Sequence, residues 1–192
     1  HSTSPMKINP LTPSLRAALP GMLLALLTIL YGQGMGIFFG LNEQGIKGRL
    51  KASATPVRGT VYKNDDAAIK VVLDNSWNYM KRAHLHAGGM GTTAFALMIT
   101  VGLLGVSRRI TLLLGLALGG GGLGYSLYWM WAGFRAPALG ATGAAKESLK
   151  WLAMPTSGMF VIATVAVFAL LVGRLFSQPT AGAEASGSAP RF

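Results

Sequence analysis

The sequence contains no cysteine, which excludes disulfide bonds, thiolate metal ligands and thiol catalysis. Acidic residues are scarce as well: there are 6 Asp+Glu against 17 Lys+Arg, and only 12% of the 192 residues are charged. Soluble globular domains usually carry about 25% charged residues. A chain with so little charge cannot cover a water-soluble core, so we expect a membrane protein.

Asp, Glu, Lys and Arg are absent from four long stretches: residues 17–42, 83–107, 110–134 and 151–173. Each stretch is long enough to cross about 30 Å of hydrocarbon as an α-helix, at about 1.5 Å per residue. A charge at the bilayer centre costs several kcal/mol, so helices that cross a membrane avoid it. The sequence therefore predicts an all-α integral membrane protein, a bundle of four transmembrane helices with spans at 17–42, 83–107, 110–134 and 151–174.

The segments outside the spans differ in length and composition. We expect residues 1–16 to form an N-terminal tail, with 1–5 an added extension ahead of a natural start at Met6. Arg108-Arg109 predicts a very short turn between the second and third spans, and residues 135–150 predict a loop. The tail 175–192 is rich in Ala, Gly, Ser and Pro and is predicted to be disordered.

The longest extramembrane segment is residues 43–82. Its first half carries turn-forming and basic residues, whereas residues 66–82 alternate between polar and apolar positions with helical spacing. This pattern predicts an amphipathic helix, either lying at the interface and continuous with the second span or packed as a small solvated helix on the other loop.

The excess of positive charge is interpreted as a topology signal and a contact for anionic lipid, and not as nucleic-acid binding. The long-loop side carries eleven Lys+Arg and the side with the termini carries six. The count favours a cytoplasmic long loop, but an Arg-Arg hairpin is hard to translocate. We predict a bacterial inner-membrane protein with both termini in the cytoplasm, and the opposite orientation stays open.

Glycine recurs every four residues at Gly32, Gly36 and Gly40 in the first span, and again at Gly115 and Gly119 in the third. Residues four apart share a helix face, and glycine lets two helices approach closely in lipid. The glycine faces predict helix packing, either within the chain or between copies in a homo-oligomer. The run 119–122 predicts a continuous helix, with a bend that lines a cavity as the alternative.

His84 and His86 are the only histidines apart from His1, and neutral imidazole binds haem iron or copper. Met90 would add a thioether ligand for copper. Residues two apart on a helix point about 200° away from each other, so a single metal would not receive both imidazoles from an unbroken helix. Haem b or copper bound to these residues is one hypothesis, and an interfacial hydrogen-bonding pair is the other.

Aromatic residues gather on the long-loop side of the spans. This pattern is typical of an interfacial belt, but it also predicts a ligand pocket in which Arg135 would bind an anionic group. The residues predicted for the interface or pocket are Trp77, Tyr128, Trp129, Trp131, Arg135 and Trp151.

No phosphate-binding loop, metalloprotease helix, nucleophile elbow or dinucleotide fingerprint is found in the sequence, so we assign no catalytic residue. The favoured hypothesis is a membrane subunit or scaffold that acts through glycine-mediated helix packing. The alternatives are a redox subunit that binds haem or copper through His84 and His86, and an oligomeric small transporter or lipid-binding protein.

Overall fold

The computed structural model describes residues 11–177, and these residues contain helices and no strands. Four of the helical segments are long and apolar enough to cross a membrane: Pro13–Val57, Asp66–Leu104, Arg108–Leu139 and Lys150–Phe176. The predicted all-α, four-helix membrane fold is therefore confirmed. The extension 1–5 and most of the predicted disordered tail lie outside the described residues.

In chain order the helices are α1 (Pro13–Ala54), α2 (Asp66–Leu104), α3 (Arg108–Gly115), α4 (Gly121–Leu139), α5 (Thr142–Ser148) and α6 (Lys150–Phe176). A π-helical segment, Leu116–Gly120, joins α3 to α4 without interrupting the helix, and a 3₁₀ turn, Thr55–Val57, follows α1.

The first helix continues well past the end of its charge-free span. Residues 43–54, for which turns were predicted, belong to α1, which is bent where Asn42 leaves helical geometry (φ −127°, ψ 20°). Buried side chains such as Ile46 and Leu50 pack this extension against α2. Their burial outweighs the weak helix propensity of the glycines nearby, each of which costs about 1 kcal/mol relative to alanine.

The second helix joins the amphipathic segment to the second span. Its N-cap is Asp65, whose side chain accepts hydrogen bonds from the backbone N–H groups of Ala67 and Ala68, and the helix runs unbroken from Asp66 to Leu104. Unpaired N–H groups at a helix start are stabilised by such caps. The amphipathic segment is therefore rigidly coupled to the second span.

The turn between the second and third spans lies three residues earlier than Arg108-Arg109. Gly105 adopts the left-handed conformation (φ 63°) that ends α2, and both arginines belong to the first turn of α3. Glycine takes this conformation without steric cost, which places the turn there. Arg174 of α6 donates a hydrogen bond to the Leu104 carbonyl (2.8 Å), so a charged side chain caps the end of α2.

The four consecutive glycines, 119–122, lie in a continuous helix that contacts all three other spans. A Cβ atom at Gly119 would lie 2.8 Å from Leu24 of α1, and one at Gly121 would lie 2.7 Å from the Thr156 carbonyl of α6. A Cβ atom at Gly122 would lie 3.3 Å from the Cβ of Met90 on α2. The run therefore lets one central helix approach a different neighbour at successive positions, and the π-helical geometry of Leu116–Gly120 sets the rotation between them.

Most of the other glycines predicted for helix packing also contact neighbours within the chain. A Cβ at Gly32 would lie 2.9 Å from that of Ala87, and one at Gly115 would lie 2.9 Å from the Gly21 Cα. Gly36 faces the His84 ring, whereas Gly40 is exposed, and a Cβ atom there would have no neighbour within 4 Å. Four of the five predicted glycines thus pack the bundle internally.

Outside the spans, residues 43–82 and 135–150 pack together into a unit that we call the cap. Within 135–150, where a loop was predicted, α4 continues to Leu139 and α5 forms a short helix. The buried Tyr62 donates a hydrogen bond from its hydroxyl to the Pro137 carbonyl (2.7 Å), which ties the α1–α2 connection to the end of α4. Burial raises the pKa of Tyr62, which keeps this donor protonated.

Candidate functional site

His84 is a residue of α2, and its ring faces α1. Its Nδ1 is 2.7 Å from the Gly32 carbonyl oxygen, and the absence of a side chain at Gly36 makes room for its ring. Because a carbonyl oxygen only accepts hydrogen bonds, Nδ1 is the donor in this contact. This hydrogen bond joins the first and second spans. It lies in the first turn of the charge-free stretch 83–107.

His86 lies on a different side of α2 and faces α4. Its ring centroid is 5.1 Å from that of Tyr125 and 5.9 Å from that of Trp129. The two imidazoles therefore have different neighbours, as their spacing on a helix requires. Met90 packs at Gly122 of α4.

The structure does not bring the predicted ligands His84, His86 and Met90 together around one point. In the described range 11–177, no three His, Asp or Glu side chains are arranged to hold a metal ion. Within one chain, each of these two positions could therefore supply a single imidazole ligand.

The aromatic residues around His86 form a compact group that we call the aromatic cluster: Tyr79, His86, Tyr125, Tyr128 and Trp129. Trp129 is its centre, with ring centroids 4.9 Å from Tyr79 in an edge-to-face arrangement and 5.2 Å from Tyr128. Edge-to-face pairs add about 0.5–1.5 kcal/mol to the burial of the rings. The cluster therefore fixes α2 against α4 at the boundary between the cap and the spans.

Cations cover the outer side of this cluster. The Arg82 guanidinium carbon is 5.1 Å from the Trp129 ring centroid and 5.6 Å from that of Tyr79, and the Lys146 ammonium of α5 is 6.0 Å from Tyr79. Arg82 and Lys146 were not among the predicted site residues. The spacing of Tyr79 and Arg82, three apart on a helix, was a signal for the first contact, but nothing in the sequence indicates the second.

One buried donor in the cluster has no partner. The Trp129 indole Nε1 is inaccessible to solvent and makes no hydrogen bond among the described residues. A buried N–H without an acceptor costs about 1–3 kcal/mol. The aromatic cluster therefore contains one unsatisfied donor, on the ring over which the Arg82 guanidinium lies.

Five of the six residues predicted for one interface or pocket lie in three separate places. Tyr128 and Trp129 belong to the aromatic cluster, whereas Trp131 and Trp151 form an exposed edge-to-face pair between α4 and α6 (6.1 Å). Trp77 packs on Phe39 (5.3 Å) under the Lys47 ammonium.

Arg135 is half-buried and forms no ion pair or cation–π contact with any of residues 11–177. Arg82 therefore occupies the position beside the aromatic rings that was predicted for Arg135. No family model, curated protein sequence or solved structure matches this chain.

Proposed function

We propose that the protein is a non-catalytic membrane subunit whose bundle holds the cap at one membrane surface for contact with other molecules. The observation that carries the proposal is the cap itself. Two spans continue as helices beyond the hydrocarbon and enclose a core of their own that includes Ile46, Leu50 and Tyr62. A chain that only filled space in a bilayer would have no use for this structure.

The internal use of glycine supports a bundle that is complete within one chain. Because Gly32, Gly36, Gly115 and Gly119 face neighbours in the same chain, they do not offer a surface to a second copy. In a homo-oligomer or larger complex, the contact would instead use exposed faces such as the one around Gly40. We place the protein in a bacterial inner membrane with the termini in the cytoplasm, which leaves the cap outside the cytoplasm.

Site-specific cross-linking tests the subunit role, and the cysteine-free chain makes it simple. A photoreactive maleimide on Asn64→Cys, at the exposed end of the cap, should capture another polypeptide in native membranes. The matched control is Val161→Cys, which is 60% exposed on α6 and faces lipid. A cap that captures no polypeptide in any membrane from the source organism contradicts the proposal.

Gly40→Leu separates self-association from contact with a different chain. The open space at Gly40 predicts a correctly folded protein. Loss of a cross-linked dimer in this variant would assign the Gly40 face to a homo-oligomer, whereas an unchanged dimer would exclude that face.

A second candidate is a small transporter or lipid-binding protein that uses the aromatic cluster. The unpaired Trp129 indole N–H beside Arg82 favours it, because both groups bind the oxygen of an anionic or carbonyl-bearing ligand. Trp129→Phe removes the donor and keeps the ring stacking. Unchanged binding of anionic lipid by native mass spectrometry in this variant, relative to the wild type, would rule the donor out as a ligand contact.

A redox subunit is supported by one contact. A histidine that binds a metal commonly donates its other ring N–H to a backbone carbonyl, and His84 donates Nδ1–H to Gly32. With one such imidazole per chain, two copies would supply the axial pair for a haem. A Soret band that disappears in His84→Ala and persists in His86→Ala would support this role, and protein that is colourless and metal-free in native membranes would exclude it.

A further inference from the structure

A groove runs along the cap between the extramembrane part of α1 and the first turns of α2. Its volume is about 700 Å³, within the range of about 300–1,000 Å³ typical of small-molecule sites. The groove has an apolar wall made by Leu50, Ile69, Leu73 and Trp77. These residues extend from the interfacial level of Trp77 toward the outer end of the cap.

Lysines from both helices line the rim of the groove. Lys47 forms an ion pair with Glu43, whereas Lys51 of α1 and Lys70 of α2 form none with any described residue. Two ammonium groups on opposite walls repel each other and attract an anion placed between them.

The other charges of the groove leave this excess in place. Arg58 is paired with Asp66 (2.9 Å), and Asp74 is the remaining carboxylate of the wall. The groove thus holds more positive than negative charge next to an apolar surface, which is the complement of an anionic amphiphile.

A glycine keeps the groove open. Gly48 lies on the groove wall of α1, and a Cβ atom there would have no neighbour within 4 Å. Glycine in a helix costs about 1 kcal/mol relative to alanine. In the bundle that cost is offset by close contacts between helices, for example at Gly21. At Gly48 no atom of another helix fills the space that the missing side chain leaves.

The height of the lysines decides between a bilayer lipid and a soluble ligand. We take the ends of the charge-free stretches, Asn42 and Ala83, as the edge of the hydrocarbon. Lys51 lies nine residues beyond Asn42, about 13 Å along a helix, and Lys70 lies thirteen residues before Ala83, about 20 Å, at about 1.5 Å per residue. The polar headgroup layer adds about 5–8 Å to each side of the hydrocarbon. The two free lysines therefore stand in the aqueous phase beyond the headgroups.

We propose that this groove binds a soluble anionic amphiphile, with its carboxylate or phosphate between Lys51 and Lys70 and its apolar body along Leu73 and Trp77. The site is separate from the aromatic cluster. Binding at the groove does not depend on a partner subunit, so this inference and the proposed function stand or fall independently.

Octyl phosphate tests the groove with the full chain in phosphatidylcholine nanodiscs. Calorimetric titration should show saturable binding above the signal of empty discs. Inorganic phosphate, which has only the head, and octyl glucoside, which has an uncharged head, should each bind at least about tenfold more weakly. Equal binding of phosphate would show that the apolar wall is not used and would overturn the proposal, as would equal binding of octyl glucoside.

Gly48→Leu fills the groove without changing charge and without a clash, so the helix should be at least as stable as in the wild type. We expect octyl phosphate to bind about tenfold more weakly or worse to this variant, because its apolar body loses the space. Gly45→Leu is the matched control, since Gly45 is equally open on the same helix but does not line the groove. Equal affinities of the two variants would place binding elsewhere.

Two further experiments test the role of the lysines and whether the ligand comes from solution or from the bilayer. Lys51→Gln with Lys70→Gln should weaken binding and reduce its dependence on salt, whereas Lys63→Gln, outside the groove, should change neither. If phosphatidylglycerol in the disc competes with octyl phosphate in the wild type but not in Gly48→Leu, the occupant is a bilayer lipid and the soluble source is wrong.

Discussion

The membrane bundle and the cap are packed by different means. At the level of Gly21 and Gly115, the helices of the bundle approach so closely that a Cβ on the first would lie 2.6 Å from the Cα of the second. The cap is held by buried side chains, among them Leu50, which is 2% exposed, and Tyr62, which is 5% exposed. The bundle also buries large side chains, such as Met98 and Leu118, but it has them in addition to the close backbone contacts.

The surrounding solvent explains this difference. Lipid tails are as apolar as leucine, so burying a large side chain in the bundle gains little, and contact between backbones supplies the packing energy. Water surrounds the cap, and there each Å² of buried apolar surface contributes about 25 cal/mol. Burial of a side chain between α1 and α2 therefore contributes more to stability in the cap than in the spans.

The largest expected effect comes from enlarging a closed glycine. Gly21→Leu forces a side chain into the backbone of α3 and into Met98. Overpacking that side chains can absorb costs about 1–3 kcal/mol. Here two helix backbones must also move apart, so we expect a larger cost than for any variant of the cap. We expect a large loss of thermal stability in detergent, or no folded protein at all. Gly34→Leu is the control, because Gly34 is in a span and has open space. Equal stability of both variants would show that the close approach does not hold the bundle together.

Leu50→Ala tests the contribution of side-chain burial to the stability of the cap. Removing a fully buried leucine in water costs about 2–5 kcal/mol. Hydrogen exchange should accelerate in residues 43–82 while the spans keep their protection, because the bundle has its own contacts. Exchange that rises equally in the spans would show that the cap and bundle unfold as one unit.

Tyr62→Phe removes the hydrogen bond to the Pro137 carbonyl and leaves that acceptor buried, which costs about 1–3 kcal/mol. The wild-type cap should also lose stability as the pH rises above about 10, because the pKa of Tyr62 is raised in the folded state and the unfolded state releases the proton first. Below that pH both states are protonated and the contribution is complete. Thermal melts from pH 8 to 11 should show a fall in the wild type that is smaller in Tyr62→Phe.

The spans were predictable from the sequence because the hydrocarbon layer excludes charged side chains. In the second span, for example, no residue from 83 to 104 is Asp, Glu, Lys or Arg. The extension of α1 was not predictable, because Gly40, Gly45 and Gly48 lower its local helix propensity. Its stability comes from contacts with α2, whose facing residues are distant in sequence. Burial of side chains between helices therefore outweighed the low helix propensity of this segment.

The candidate site was predicted only in part, for a related reason. That His84 and His86 face different neighbours follows from helix geometry and needs no coordinates. Which aromatic residues meet depends on the rotation of α4 relative to α2, and the π-helical segment at Leu116–Gly120 changes that rotation. Trp129 therefore joins His86, while Trp131, two residues further on, faces outward.

The smallest expected effect tests the boundary between the two regions. Arg82→Gln removes the cation that lies over Trp129 and Tyr79, and such contacts contribute about 0.5–1 kcal/mol at exposed sites. Arg82→Lys should recover part of this stability, because a lysine keeps the charge but not the planar stacking. The control is Lys81→Gln, an exposed neighbour without such a contact. If Arg82→Gln is as stable as Lys81→Gln in a thermal melt, the cation–π contacts of the guanidinium contribute nothing measurable to folding.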